Sequence, residues 1–118
     1  MDISKKLQVP TGTPLFLVDP PKRFDPGVKT SEDEAGTAVL VFVADSKALK
    51  ARAKPAVDAA KADRLSWIAY PKAGQLGTDL HRDKLAQLMK QHGVEPVRLV
   101  SLDDVWSAMR FRPSRRGG

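Results

Sequence analysis

The chain contains no cysteine. A disulfide framework, a thiolate metal site and a cysteine nucleophile are therefore excluded. It also lacks any Gly-x-Gly, the turn that lets a backbone approach a dinucleotide pyrophosphate. No stretch nears the roughly 18 to 20 apolar residues needed to cross a bilayer. The longest apolar run, Ala38 to Ala44, has the length of a strand. Lys5 and Lys6 near the start are not followed by the apolar core of a signal peptide. A cytoplasmic protein without membrane contact is the expectation.

What is present suits one small domain. The 118 residues are 42% apolar, enough for a single core. Residues 1–113 are expected to form one α/β domain and residues 114–118 a disordered basic tail. Lys and Arg number 20 against 14 Asp and Glu, and the excess falls after residue 36, because residues 1–36 hold 5 basic and 6 acidic groups. A surplus of this size permits contact with phosphates or an acidic partner, although a solvated basic face also accounts for it.

Leu15-Phe16-Leu17-Val18 reads as a strand closed by Asp19-Pro20-Pro21. Residues 20–36 read as loop with a short edge strand near Val28 to Thr30. Val39 to Val43 has the continuous β-branched and aromatic character of a strand covered on both faces. Ser46 is positioned to cap a following helix whose stripe is Leu49, Ala53, Ala56, Val57 and Ala60. Pro55 either kinks that helix or opens a second one. Leu65 to Tyr70 is the next strand. Thr78 or Asp79 then caps a helix with Leu80, Leu85, Leu88 and Met89 on its buried face, and Gly93 stops it. Val97 to Leu102 and Val105 to Arg112 pair as an antiparallel hairpin. This order predicts a three-layer, Rossmann-like α/β fold: a mixed, mostly parallel sheet with helices on both faces and a C-terminal hairpin.

From Ala38 onward the order resembles the C-terminal half of the class I S-adenosylmethionine-dependent methyltransferase fold. Trp67-Ile68-Ala69-Tyr70-Pro71-Lys72, Thr78-Asp79-Leu80-His81-Arg82-Asp83 and the run from Asp103 to Pro113 are similar to a family of short bacterial proteins of unknown function. That resemblance covers residues 38 to 113 and implies a fold without implying an activity. Asp19-Pro20-Pro21 is similar to the Asp-Pro-Pro-aromatic motif of amino-group methyltransferases, but residue 22 is Lys. The first strand thus runs into prolines, which lack the N–H donors of a cofactor turn, and no cofactor is expected.

Three constellations bear on function. The segment from Lys72 to Asp79 joins a strand end to a helix start, where backbone N–H groups, Thr78 and Lys72 can hold a phosphate or carboxylate. Lys72, Gly74, Gly77, Thr78 and Arg82 are its candidate ligand-binding residues, with Asp79 competing for the anion's place. In the last strand, alternation puts Trp106, Ala108, Arg110 and Arg112 on one face. Trp106, Arg110, Arg112, Arg115 and Arg116 are candidate nucleic-acid contacts by stacking and phosphate pairing. His81 and His92 lie roughly 16 Å apart if on one helix, so they cannot share a metal. Asp103 and Asp104 fit a turn. No catalytic residue and no metal ligand are assigned. The chain is expected to be a binding or regulatory module without autonomous catalysis. A phosphate-containing ligand or a protein is its expected partner. The alternatives are nucleic-acid binding through the basic C-terminal strand, and a minimal methyltransferase-like enzyme using Asp19, Lys22 and the 74–78 loop.

Overall fold

A computed structural model of the chain describes residues 3, 5–10, 12–22, 24, 25, 27–33 and 38–114. Along it lie β1 (Leu15–Val18), β2 (Thr30–Ser31), β3 (Ala38–Phe42), α1 (Ser46–Arg52), α2 (Lys54–Lys61), β4 (Leu65–Pro71), α3 (Arg82–Lys90), β5 (Val94–Ser101) and β6 (Trp106–Pro113). The strands form one sheet in the order β2-β1-β3-β4-β6-β5. β2, β1, β3 and β4 are mutually parallel, while β6 runs antiparallel to both β4 and β5. No helix among the described residues is long and apolar enough to cross a membrane.

The α/β composition, the mixed sheet and the hairpin agree with the sequence, but the Rossmann-like, three-layer arrangement does not. The two antiparallel ladders pair more residues than the three parallel ones together, so the sheet is mostly antiparallel in its pairing. All three helices also lie on the same face. Leu49 of α1, Ala56, Val57, Ala59 and Ala60 of α2, and Leu85 and Met89 of α3 share one core cluster with Val39, Val41, Ile68, Tyr70, Met109 and Phe111 of the sheet. The other face of the strands, with Leu40, Phe42, Trp67, Ala69 and Ala108, packs under Ile3, Leu7, Val9, Leu102 and the partly buried Phe24.

The unbroken apolar run of β3 explains the discrepancy. All five of its residues are buried, which requires cover on both sides of the sheet. Only one cover is helical. On the opposite side the 3–9 segment turns on Leu7 N–H to Ile3 O and Gln8 N–H to Lys5 O bonds of 2.9 and 3.2 Å. Its Leu7 carbonyl accepts the indole N–H of the fully buried Trp67 at 2.9 Å. A hydrogen bond there satisfies a donor that burial would otherwise strand.

Local chemistry sets the helix ends. Asp45, not Ser46, caps α1, its carboxylate accepting the Ala48 N–H at 2.8 Å. Pro55 occupies the first turn of α2, where its missing N–H costs nothing, so two short helices meet at Ala53. α3 is capped by His81 rather than by Thr78 or Asp79, and His92 falls beyond its end. β5 begins immediately after Gly93, which adopts φ 81°.

Candidate functional site

One end of the sheet collects the loops. β1, β3 and β4 finish there, and the β4–β6 register, which sets Pro71 opposite Trp106, brings the β5–β6 turn to the same end. The backbone N–H of Lys72 donates to the Val105 carbonyl at 2.7 Å, and Lys72 Nζ donates to Ser101 Oγ at 2.8 Å. These bonds fasten the segment after β4 to the hairpin.

On the helical face of this end is a recess of about 340 Å³, whose lining includes Tyr70, Lys72, His81, Arg82, Asp83 and Ser107. Tyr70 is the penultimate residue of β4, and Ser107 stands directly opposite it on β6. His81 and Arg82 open α3. Because His81 Nδ1 accepts the Lys84 N–H at 3.3 Å, Nε2 is the ring nitrogen left to donate. Tyr70 is only 4% exposed, and its hydroxyl has no hydrogen-bond partner among the described residues. Burial pushes that hydroxyl above its ordinary pKa, with Arg82 lowering it and Asp83 raising it. The phenol therefore remains a protonated donor at neutral pH.

Of the five candidate ligand residues, the recess brings Lys72 and Arg82 together. Gly74, Gly77 and Thr78 are not among its lining residues. The bonds within the segment are local: Gln75 N–H to Lys72 O at 2.8 Å, Thr78 N–H to Gln75 O at 3.0 Å, and Leu80 N–H to Thr78 Oγ1 at 3.0 Å. Gly74 and Gly77 have φ 84° and 65°, and a Cβ on either would meet nothing within 4 Å. Positive φ, not close approach to another group, is what requires glycine at both positions.

Asp79 has a different role from the helix start expected for it. Its carboxylate accepts the hydroxyl and backbone N–H of Ser46 and, at 3.0 Å, the Lys84 ammonium. It thereby joins the loop to the N-terminus of α1, where the helix dipole favours negative charge. These bonds, the Ser46 hydroxyl first, hold the Asp79 carboxyl well below the usual carboxylate range.

The remaining candidates lie elsewhere. Trp106 packs edge-on to Phe42 with ring centroids 5.1 Å apart. Arg110 donates to Gln8 Oε1 at 2.9 Å, and Arg112 lies 3.6 Å from the Glu95 carboxylate. Arg115 and Arg116, with the rest of the expected tail beyond residue 114, lie outside the described residues. Ser114 itself is tied down, its N–H donating to the Gly93 carbonyl at 3.0 Å. Asp19 pairs with Arg52 at 3.0 Å, and Lys22 lines a separate recess on the other face of the sheet. Asp103 caps its own turn by accepting the N–H groups of Val105 and Trp106, both at 2.8 Å.

Tyr70, His81 and Ser107 are the site residues that sequence reasoning missed. Tyr70 was visible as a polar-tipped residue at a strand end beside a glycine-containing loop. Nothing local places Ser107 beside it, because that depends on β6 entering the sheet between β4 and β5. Among the described residues, no three His, Asp or Glu side chains are grouped so as to hold a metal ion. Compared with known proteins, the chain matches no family model, and no curated protein matches it significantly.

Proposed function

We propose that the protein is a binding module that holds a small oxyanion-bearing ligand, such as a phosphorylated or carboxylated metabolite, in the recess at the end of β4. The observation that carries this reading is Tyr70: a largely buried ring whose hydroxyl has no partner among the described residues, at the wall of a recess otherwise lined mostly by donors. A hydroxyl at a recess wall with no protein partner is available to donate, and an anion seated in the recess supplies the acceptor. Lys72 and Arg82 contribute positive charge, and His81 Nε2 and Ser107 contribute further donors, at the N-terminal end of α3, where the helix dipole favours an anion. Asp83 opposes this field from the second position of α3, where it lies 3.5 Å from Arg82. Capture therefore depends on directed hydrogen bonds as well as on net charge. The recess falls within the roughly 300 to 1,000 Å³ of small-molecule sites and exceeds what a bare phosphate fills.

Calorimetric titration with inorganic phosphate, comparing the native chain with Tyr70→Phe, tests the reading. Loss of one hydrogen bond to a charged acceptor is expected to weaken binding about tenfold. Removal of an unpaired hydroxyl should leave the melting temperature unchanged or higher. Equal affinity of the two proteins, or no phosphate binding by either, would overturn the proposal.

A further inference from the structure

The opposite face of the same sheet end carries a second recess with a different chemistry. It encloses about 400 Å³, and its walls include Pro21, Phe24, Leu102 and Trp106. Phe24 and Trp106 both pack edge-to-face on the buried Phe42, at centroid distances of 4.8 and 5.1 Å and interplanar angles of 67° and 79°. Phe42 thus braces from within the core two rings that line the recess. The mouth is acidic. Asp25 Oδ1 accepts the Gly27 N–H, and Asp103 Oδ1 accepts the N–H groups of Val105 and Trp106. Each carboxylate keeps its second oxygen without a partner among the described residues, and both residues line the recess.

We propose that this recess binds an organic cation: a compact ammonium-bearing ligand whose positive charge sits against the Phe24 and Trp106 rings and faces Asp25 and Asp103. Aromatic faces attract cations through the ring quadrupole, most strongly for tryptophan, and attraction grows as the cation loses water. Carboxylate oxygens accept hydrogen bonds and do not donate them, so the mouth favours a cation or an N–H donor over an anion. Lys22, also at the lining, is the one opposing charge among the described lining residues. The site lies on the opposite face of the sheet from the Tyr70 recess, shares none of its lining residues and does not depend on it.

Choline and its neutral isostere 3,3-dimethylbutan-1-ol discriminate a cation site from a merely apolar one. Trp106 lines the recess and the fully buried Trp67 does not, so direct contact with a ligand is read through Trp106 emission. Choline is expected to give a saturable change, with the alcohol about tenfold weaker. Asp25→Asn and Asp103→Asn keep the oxygen that accepts the backbone bonds, preserving the turns, and each is expected to weaken choline severalfold. Lys22→Ala removes a like charge and is expected to tighten it. Equal binding of choline and the alcohol, no binding of choline, or weaker choline binding by Lys22→Ala would each overturn the proposal.

Discussion

Trp67 and Asp79 each join segments that the chain separates widely, Trp67 by bonding Leu7 and Asp79 by bonding Ser46. Trp67→Phe keeps most of the apolar volume but strands the Leu7 carbonyl, so urea unfolding should show a loss of roughly 1 to 3 kcal/mol. Asp79→Asn tests the electrostatics. The Asp79 carboxyl is held below its unfolded value, so its contribution is complete above about pH 4 and is lost as pH falls through the folded-state value. Melting temperatures of native and Asp79→Asn proteins should therefore differ at pH 7 and converge in acid. A gap that stays constant down to pH 2 would contradict the assignment. Neither residue announced its role in the sequence. An aspartate before a helix reads as that helix's own cap, whereas Asp79 serves a helix more than thirty residues earlier.

At the scale of elements, periodicity was legible where both the apolar pattern and its boundaries were local. β1, β3, β4, the paired helices around Pro55 and the C-terminal hairpin all follow from apolar runs and prolines. What covers the second face of β3 was not legible, because burial on both sides constrains the strand and says nothing of the covering element. The 3–9 segment lacks helical periodicity, yet Leu7 within it is fully buried. If that segment is an integral layer, Leu7→Ala should cost about 2 to 5 kcal/mol, the range for fully buried leucines. A loss under about 0.5 kcal/mol, typical of surface positions, would show that the segment is peripheral. The candidate site divides in the same way. Lys72 and Arg82 flank a strand-to-helix connection and could be read along the chain. Ser107 reaches the recess only through its pairing opposite Tyr70, a long-range contact that no local pattern encodes.

For the whole molecule, the radius of gyration of 13.1 Å is that of a compact chain of this length. Inserting β6 between β4 and β5 folds the hairpin back to the end where β1, β3 and β4 stop. The result is two recesses at one sheet end, donor-rich beside the start of α3 and aromatic-acidic on the opposite face. Their opposed electrostatics suit ligands of opposite charge. The most direct measurement is a backbone amide NMR titration of the native protein with inorganic phosphate at moderate salt. The account predicts saturable shifts at the amides of Tyr70, Lys72, Arg82 and Asp83, with Arg98, Arg110 and Arg112 unmoved. Shifts confined to the arginines of β5 and β6, or none at Arg82 and Asp83, would contradict it.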